Sequence, residues 1–395
     1  MGVFDCEARR REIIQFCQSL VRTPSVNGVN VEKKTAELIA RFSIRNGFHV
    51  DVIAREPDRP NVLVRVGPEG EPALLIVAHT DTVSAGRAEV WTHPPFGAEI
   101  AGGRLYGRGT VDNKGGIAAG LAALVMLNED SSVTLPRPIV LACVPDEESG
   151  ATGRLGIRHL KEVGKLCASG AVYTYPGMHR IIIGHRGVLR LRIIAHGKAI
   201  HSGSTRWRKG NGGCNAVTGM AEFLLRIEQL RFNDVSENGS CDNFAVATPT
   251  IIKGGTEKSV VPDYCEVAID IRLGSTVLRA EIEETIRQAA REVARKRYPL
   301  RFEIGADTWV PPTSISSESQ IVSALRKSVK QVIGREPALA ISGPANESYI
   351  LNGFGIPTCV LGPNGGHAHA ADEYVVIDSI FKAAAVYALT AHSMM

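Results

Sequence analysis

Residues 74–116 read LLIVAHTDTVSAGRAEVWTHPPFGAEIAGGRLYGRGTVDNKGG. The apolar run Ala73–Ala78 breaks off abruptly into His79, Thr80 and Asp81. An unbroken run with polar groups only at its end predicts a strand buried on both faces. Open α/β sheets gather ligands at the carboxyl ends of such strands, so His79 and Asp81 stand where chemistry is expected. Two residues apart on extended chain, they share one face. Asp81 would then reach the second imidazole nitrogen, fix the tautomer and raise the basicity of the ring. A surface loop could carry His-Thr-Asp as well, so the second half of the stretch matters. There, glycines 102, 103, 107 and 109 surround Arg104–Tyr106 and Arg108, and Asp112 precedes an apolar segment with helical spacing. Asp112 is expected at or near a helix start, behind glycines that let the backbone turn tightly. An N-cap role would explain it alone; matching carboxylates and histidines downstream favour a metal bridge.

The bulk properties exclude several classes. The 395 residues can hold two domains with real cores. The net charge is 45 − 41 = +4, with acids and bases mixed along the chain. That is too weak and dispersed for a nucleic-acid or membrane-surface partner. Eight cysteines are scattered without a close pair, which predicts reduced thiols in a cytoplasmic protein. No basic-then-apolar leader and no apolar run of spanning length is seen.

Outward from the central stretch, helical spacing is read over 6–22, 31–46, 117–127 and 153–163. Strands are read over 49–53, 61–66, 74–78, 138–144 and 171–174. Strands alternating with helices imply an α/β layer architecture. The strand over 138–144 ends in Pro145-Asp146-Glu147-Glu148. Near Gly187 the pattern changes: Val188–Ala195 alternates apolar and polar residues, as a strand with one wet face does. A helix over 213–230, strands over 244–252 and 265–273 and a helix over 277–297 follow. This order predicts a small α+β domain, 187–303, inserted into a larger one formed by 1–186 and 304–395. Helices over 316–333 and 377–392 and a strand over 356–361 complete the larger domain.

Four pieces stand together as a constellation: His79 with Asp81, Asp112, Glu147-Glu148, and His369 in GGHAHAADEYV. Their nitrogen and oxygen donors suit zinc, manganese, cobalt or a similar divalent ion, and the lack of thiolates argues against a purely structural zinc site. With AHTDTV, GRLYGRGTVDNKGG, PDEESG, GHRG, GKAIHSG, VVPDYCEVAIDIR and HAHAADEYV in this order, the chain resembles the metallo-hydrolases. That family includes acetylornithine deacetylase, succinyl-diaminopimelate desuccinylase, aminoacylase and carboxypeptidase G. The resemblance runs nearly the whole length. It implies an α/β, zinc-peptidase-like catalytic domain with an inserted ferredoxin-like dimerisation or lid domain. It implies His79, Asp112, Glu148 and His369 as metal ligands, Asp81 as the holder of the His79 ring, and Glu147 as the general base that passes a proton from water to the leaving amine. His201, reached across a dimer interface, would hydrogen-bond the developing oxyanion. Arg272 would grip a substrate carboxylate with its bidentate fork.

The chain departs from that family at three places. Tyr175 stands before Pro176 where a Glu or Asp is usual. A phenol with a pKa near 10 is a poor ligand at neutral pH, so one metal per chain, and at most two, is expected. Ser259 replaces a frequent Asn, and GPANESY lacks the usual Thr-Asp. Tyr175 is thereby freed for substrate binding. The leading expectation is an amidohydrolase, of N-acyl amino acid deacylase or dipeptidase type, acting on a small carboxylate-bearing substrate in a homodimer or higher homo-oligomer. An aminohydrolase that replaces the amine of an activated aromatic acid, as 5-nitroanthranilate aminohydrolase does, is the alternative. A non-catalytic binding protein is a third reading, and Glu147 beside Glu148 speaks against it.

Overall fold

The computed structural model describes residues 7–233, 244–274 and 277–395. The chain forms two compact units. The first holds the chain up to Gly184 with Ser314–Ser342 and Asn346–Met395; the second holds His185–Thr313 and Gly343–Ala345.

The first unit is built on the buried strand read from the sequence. Leu74–His79 lies between Ile139–Val144 and Ala171–Tyr173, parallel to both, and Thr358–Gly362 runs parallel beyond Ala171–Tyr173. The antiparallel strands Asn61–Val66 and His49–Ile53 extend the sheet past Ile139–Val144. All six residues of Leu74–His79 are buried, as are all six of Ile139–Val144. The strand period of two explains why. Leu74, Ile76 and Ala78 enter one core with the helices Glu7–Val21, Gly115–Glu129 and Ile377–Ser393. Leu75 and Val77 enter another with Ile157, Leu160, Ile350 and Leu351. Helices on both faces leave no wet side, so the strands read as continuous apolar runs.

Two features of this unit position the site. Three neighbouring parallel strands end side by side and deliver His79–Asp81, Asp146–Glu148 and Thr174–Tyr175 at their carboxyl ends. A separate small sheet pairs Arg104–Tyr106 with Tyr374–Val376 and the latter with Gly365–Gly366, which ties the loop bearing His369 to the approach to Asp112.

The second unit is a β-α-β-β-α-β module. Its strands Gly187–His196, Phe244–Gly254, Tyr264–Leu273 and Arg301–Val310 stand in the spatial order fourth, first, third, second, all antiparallel. That is the ferredoxin-like arrangement. Leu189, Leu191, Ile193 and Ala195 pack with the helices Ala216–Ile227 and Arg279–Lys296. The opposite face is wet, with Arg190 on Asp270 at 3.0 Å and Arg192 on Glu266 at 3.0 Å.

Two expectations shift. The chain re-enters the first unit at Ser314, not at Ile304, because Arg301–Val310 pairs with Gly187–His196 and so belongs to the insert. The helix expected from Gly153 begins only at Ile157. Gly153 is left-handed, at φ +61°, and turns the chain before a helix can start.

Candidate metal and active centre

His79 is the last residue of its strand and is wholly buried. Its Nδ1 donates to the carbonyl oxygen of Asp81 at 3.0 Å. The Asp81 carboxylate is 3.6 Å from the same nitrogen, too far for a hydrogen bond. The main-chain contact is the shorter of the two, and the carboxylate lies beside it as an ion-pair neighbour of the same nitrogen. The carboxylate instead accepts from the backbone N–H of Glu147 at 3.2 Å and of Glu148 at 3.0 Å, and from Asn27 Nδ2 at 2.6 Å. It fixes the turn that presents the two glutamates. Turn and strand end are adjacent because their parent strands are parallel neighbours, His79 opposite Val144.

Asp112 lies not on a helix but in an irregular turn, Thr110–Lys114, with non-helical φ and ψ at Asp112 and Asn113. The helix proper begins at Gly115. The turn is locked from two sides. Asn113 accepts from Thr174 Oγ1 at 2.6 Å and donates to the Thr174 carbonyl at 3.0 Å. A Cβ at Gly116 would come within 2.3 Å of Thr174 Oγ1, so only glycine allows this approach.

The Asp112 carboxylate lies between two imidazoles. Oδ1 is 2.8 Å from His79 Nε2, and Oδ2 is 3.3 Å from His369 Nε2. His369 Nε2 is also 3.1 Å from Glu148 Oε1. Donor atoms of Asp112, Glu148 and His369 lie within 4.8 Å of one another, and so do those of His79, Glu147 and Glu148. The sequence reading kept Glu147 apart from the ligands; the structure leaves it able to join His79.

The electrostatics follow from this crowding. Burial presses the His79 pKa down, but Asp112 overrides it and holds the ring well above its ordinary value. Asp112 and Glu148 raise His369 to about 10. Burial would raise Asp112, yet His369 and His79 hold it below the usual carboxylate range. Burial raises Glu147 well above the normal range; His79 opposes this, and Glu148, Glu347 and Asp112 add to it. Burial, with Asp112, Glu147 and Glu148 nearby, pushes the Tyr175 phenol further up.

This donor set fits a divalent cation. With Nδ1 donating to a carbonyl, a neutral His79 presents its Nε2 lone pair to a carboxylate oxygen. Two acceptors facing each other need a proton or a metal ion between them. Asp112, Glu147 and Glu148 set three carboxyl groups against two imidazoles, and a cation there would favour the charged form of all three.

The remaining sequence-derived residues lie in the second unit. His201 ends the short strand Ile200–His201, opposite Val260. Its Nδ1 accepts from Gly203 N–H at 3.0 Å, which leaves Nε2 as the donor nitrogen. Arg272 stands on Tyr264–Leu273, and its Nε donates to Asp270 at 2.8 Å. The Ser259 carbonyl accepts from Ser202 N–H at 2.8 Å and so steadies the His201 turn.

The sequence reading passed over several residues. Glu373 and Arg108 form a buried pair beside Asp112. Asn27 and Asn113 anchor the ligand-bearing turns. Glu347 is buried with one carboxylate oxygen unpartnered. Arg108, Asn113 and Glu373 lie inside the motifs GRLYGRGTVDNKGG and HAHAADEYV and Glu347 inside GPANESY, whereas Asn27 left no signal.

The sequence profile of peptidase family M20/M25/M40 matches residues 75–393. The chain belongs to this family. Among M20-family relatives, the succinyl-diaminopimelate desuccinylase of Methylorubrum extorquens is 28% identical over 392 residues, 95% of this chain and 96% of that protein. An M20 family metallo-carboxypeptidase from Sulfolobus solfataricus has a similar structure, with a TM-score of 0.79 at 20% identity over 97% of this chain and 99% of that one. So has the YXEP protein of Bacillus subtilis, a dinuclear metal-binding M20 peptidase, with a TM-score of 0.73 at 18% identity over 98% of each chain. This M20-family chain is a metal-dependent hydrolase acting on carbon–nitrogen bonds. No helix among the described residues is long and apolar enough to cross a membrane.

Proposed function

We propose that the chain hydrolyses the amide bond of a small carboxylate-bearing substrate, an N-acyl amino acid or a dipeptide. The observation that carries this reading is the Asp112 carboxylate set between His79 and His369, with Glu147 and Glu148 alongside. Asp112, Glu148 and His369 would hold the principal ion, with His79 on the far side of Asp112. A bound divalent ion would polarise the scissile carbonyl and acidify the attacking water.

The chain's own groups do the rest. Glu147, which would stand as a carboxylate beside a bound cation, takes a proton from water and returns it to the leaving amine; its burial raises its proton affinity, which suits an acceptor. His201 offers Nε2–H to the oxyanion, since its Nδ1 is already an acceptor. Arg272 pairs with the substrate carboxylate. Tyr175 stays a neutral phenol and donates a hydrogen bond to the substrate. The inserted unit serves as a dimerisation or lid domain. Ile251 and Ile252 are exposed on Phe244–Gly254, a strand whose outer neighbour among the described residues is only Phe232–Asn233. Such an edge favours a second copy of the chain. The six cysteines among the described residues are all free, which agrees with a cytoplasmic setting.

The test is a turnover screen with Mn²⁺-loaded chain. N-succinyl and N-acetyl amino acids and dipeptides are compared with aminobenzoates, and amine and ammonia release are assayed. Cleavage of amides supports the proposal. Ammonia release from aminobenzoates with no amide cleaved would overturn it.

A further inference from the structure

We propose that Glu373 is a positioning residue for the metal centre, a carboxylate that splints together the two loops carrying Asp112 and His369. The inference rests on the reading of Asp112, Glu148 and His369 as a ligand set. Glu373 is wholly buried. Its Oε1 accepts from the backbone N–H of Val111 at 3.0 Å and of Asp112 at 3.1 Å. Its Oε2 accepts from Gly109 N–H at 3.0 Å and from Arg108 Nη1 at 2.5 Å. Its own carbonyl accepts from Gly107 N–H at 2.8 Å. Every one of these partners lies in the run-up to Asp112, while Glu373 itself follows His369 by four residues.

The backbone explains the need. Asp112 and Asn113 depart from helical φ and ψ, so the N–H groups ahead of them lack a regular helical ladder, and buried donors require acceptors. On the other side, His367, His369 and Asp372 all have positive φ, at 60°, 62° and 54°. Non-glycine residues hold such a shape only when their surroundings impose it. Glu373 meets both needs at once. Neutralising Arg108 occupies one oxygen; the second is given entirely to the Val111 and Asp112 main chain. That contact fixes where the Asp112 carboxylate stands relative to His369 Nε2, now 3.3 Å away.

The experiment measures Mn²⁺ binding to the full chain, with free ion counted by electron paramagnetic resonance, beside thermal unfolding in EDTA. Glu373→Asp keeps the charge next to Arg108 but is one methylene too short to reach both sets of N–H groups. It should weaken Mn²⁺ binding by roughly 10–100-fold, the range for lost support of a metal ligand, while the metal-free protein still folds. The double variant Arg108→Met with Glu373→Leu removes the ion pair and both acceptor oxygens together and should show the same loss, which decides the matter if Glu373→Asp does not fold. Parent-like Mn²⁺ affinity in either folded variant would overturn the proposal. Asp112→Asn is the control for the underlying reading: unchanged affinity there would reject Asp112 as a ligand, a different failure from that of Glu373.

Discussion

His79 Nε2 stands 2.8 Å from Asp112 Oδ1 while its Nδ1 is committed to the Asp81 carbonyl. In the metal-free protein a proton must sit on Nε2, and Asp112 holds the ring's pKa well above its ordinary value. His369 is likewise raised, to about 10, by Asp112 and Glu148. An incoming ion has to displace such protons. Mn²⁺ uptake near pH 7 should therefore release about one to two protons per ion, and affinity should rise with pH across the neutral range. Titration in weak buffer with an indicator dye measures the release. Uptake without proton release would show that the histidines are not ligands.

Glu147→Gln should fold and retain Mn²⁺ at Asp112, Glu148 and His369 while turnover collapses. Removing the proton acceptor for the hydrolytic water costs roughly 10²–10⁴-fold. Activity within tenfold of the parent would remove Glu147 from the role of base. Since Glu147 also lies within ligand reach of His79, a fall in Mn²⁺ affinity would reassign it as a ligand.

The sequence disclosed the site wherever the signal was local. Ala73–Ala78 ends in His79 because a strand buried on both faces must be apolar until it leaves the sheet, and Glu147 and Glu148 follow the same rule one strand away. What stayed hidden depends on contacts between distant segments. Nothing near Asp81 says that its carboxylate caps the backbone of Glu147 and Glu148, and nothing near Glu373 says that it caps Val111 and Asp112. Arg301–Val310 escaped notice for another reason. It is an edge strand with one fully buried residue, and the short alternation over Arg301–Gly305 is lost at the bulge between Ala306 and Thr308.

Glu347 supplies a pH dependence. Burial raises its carboxyl to about 8; Asp81 adds to the effect and His79 opposes it. One of its oxygens has no hydrogen-bond partner, and the other receives Tyr173 OH at 3.4 Å. The folded state thus binds a proton that the unfolded state, with a pKa near 4.3, has already released. This contribution is fully present below the unfolded value and is lost as pH rises through about 8. Metal-free protein should become less stable from pH 5 to pH 8, and Glu347→Gln should flatten that slope. Unfolding midpoints in EDTA across this range test it; a parent slope that is level or reversed would contradict the sign.

Tyr175 bears on how many ions the centre holds. Two cations about 3.5–4 Å apart share a bridging carboxylate in dinuclear hydrolases, and their repulsion must be offset by anionic ligands. Asp112 is placed to bridge, with one oxygen toward each histidine. The Asp112–Glu148–His369 side has two carboxylates of its own. The His79 side has Glu147, Glu148 and, next in space, a phenol. Burial and the surrounding carboxylates push that phenol further from ionisation, so it adds no charge. A second ion there would have to recruit Glu147 and take the base away from catalysis. One tight ion per chain at neutral pH is the expected stoichiometry, and Tyr175→Glu should raise occupancy of a second position by restoring the missing charge. Elemental analysis after dialysis reads both. Two equally tight ions in the parent would mean that Glu147, rather than a residue at position 175, completes the second shell, and the base would then have to be sought elsewhere.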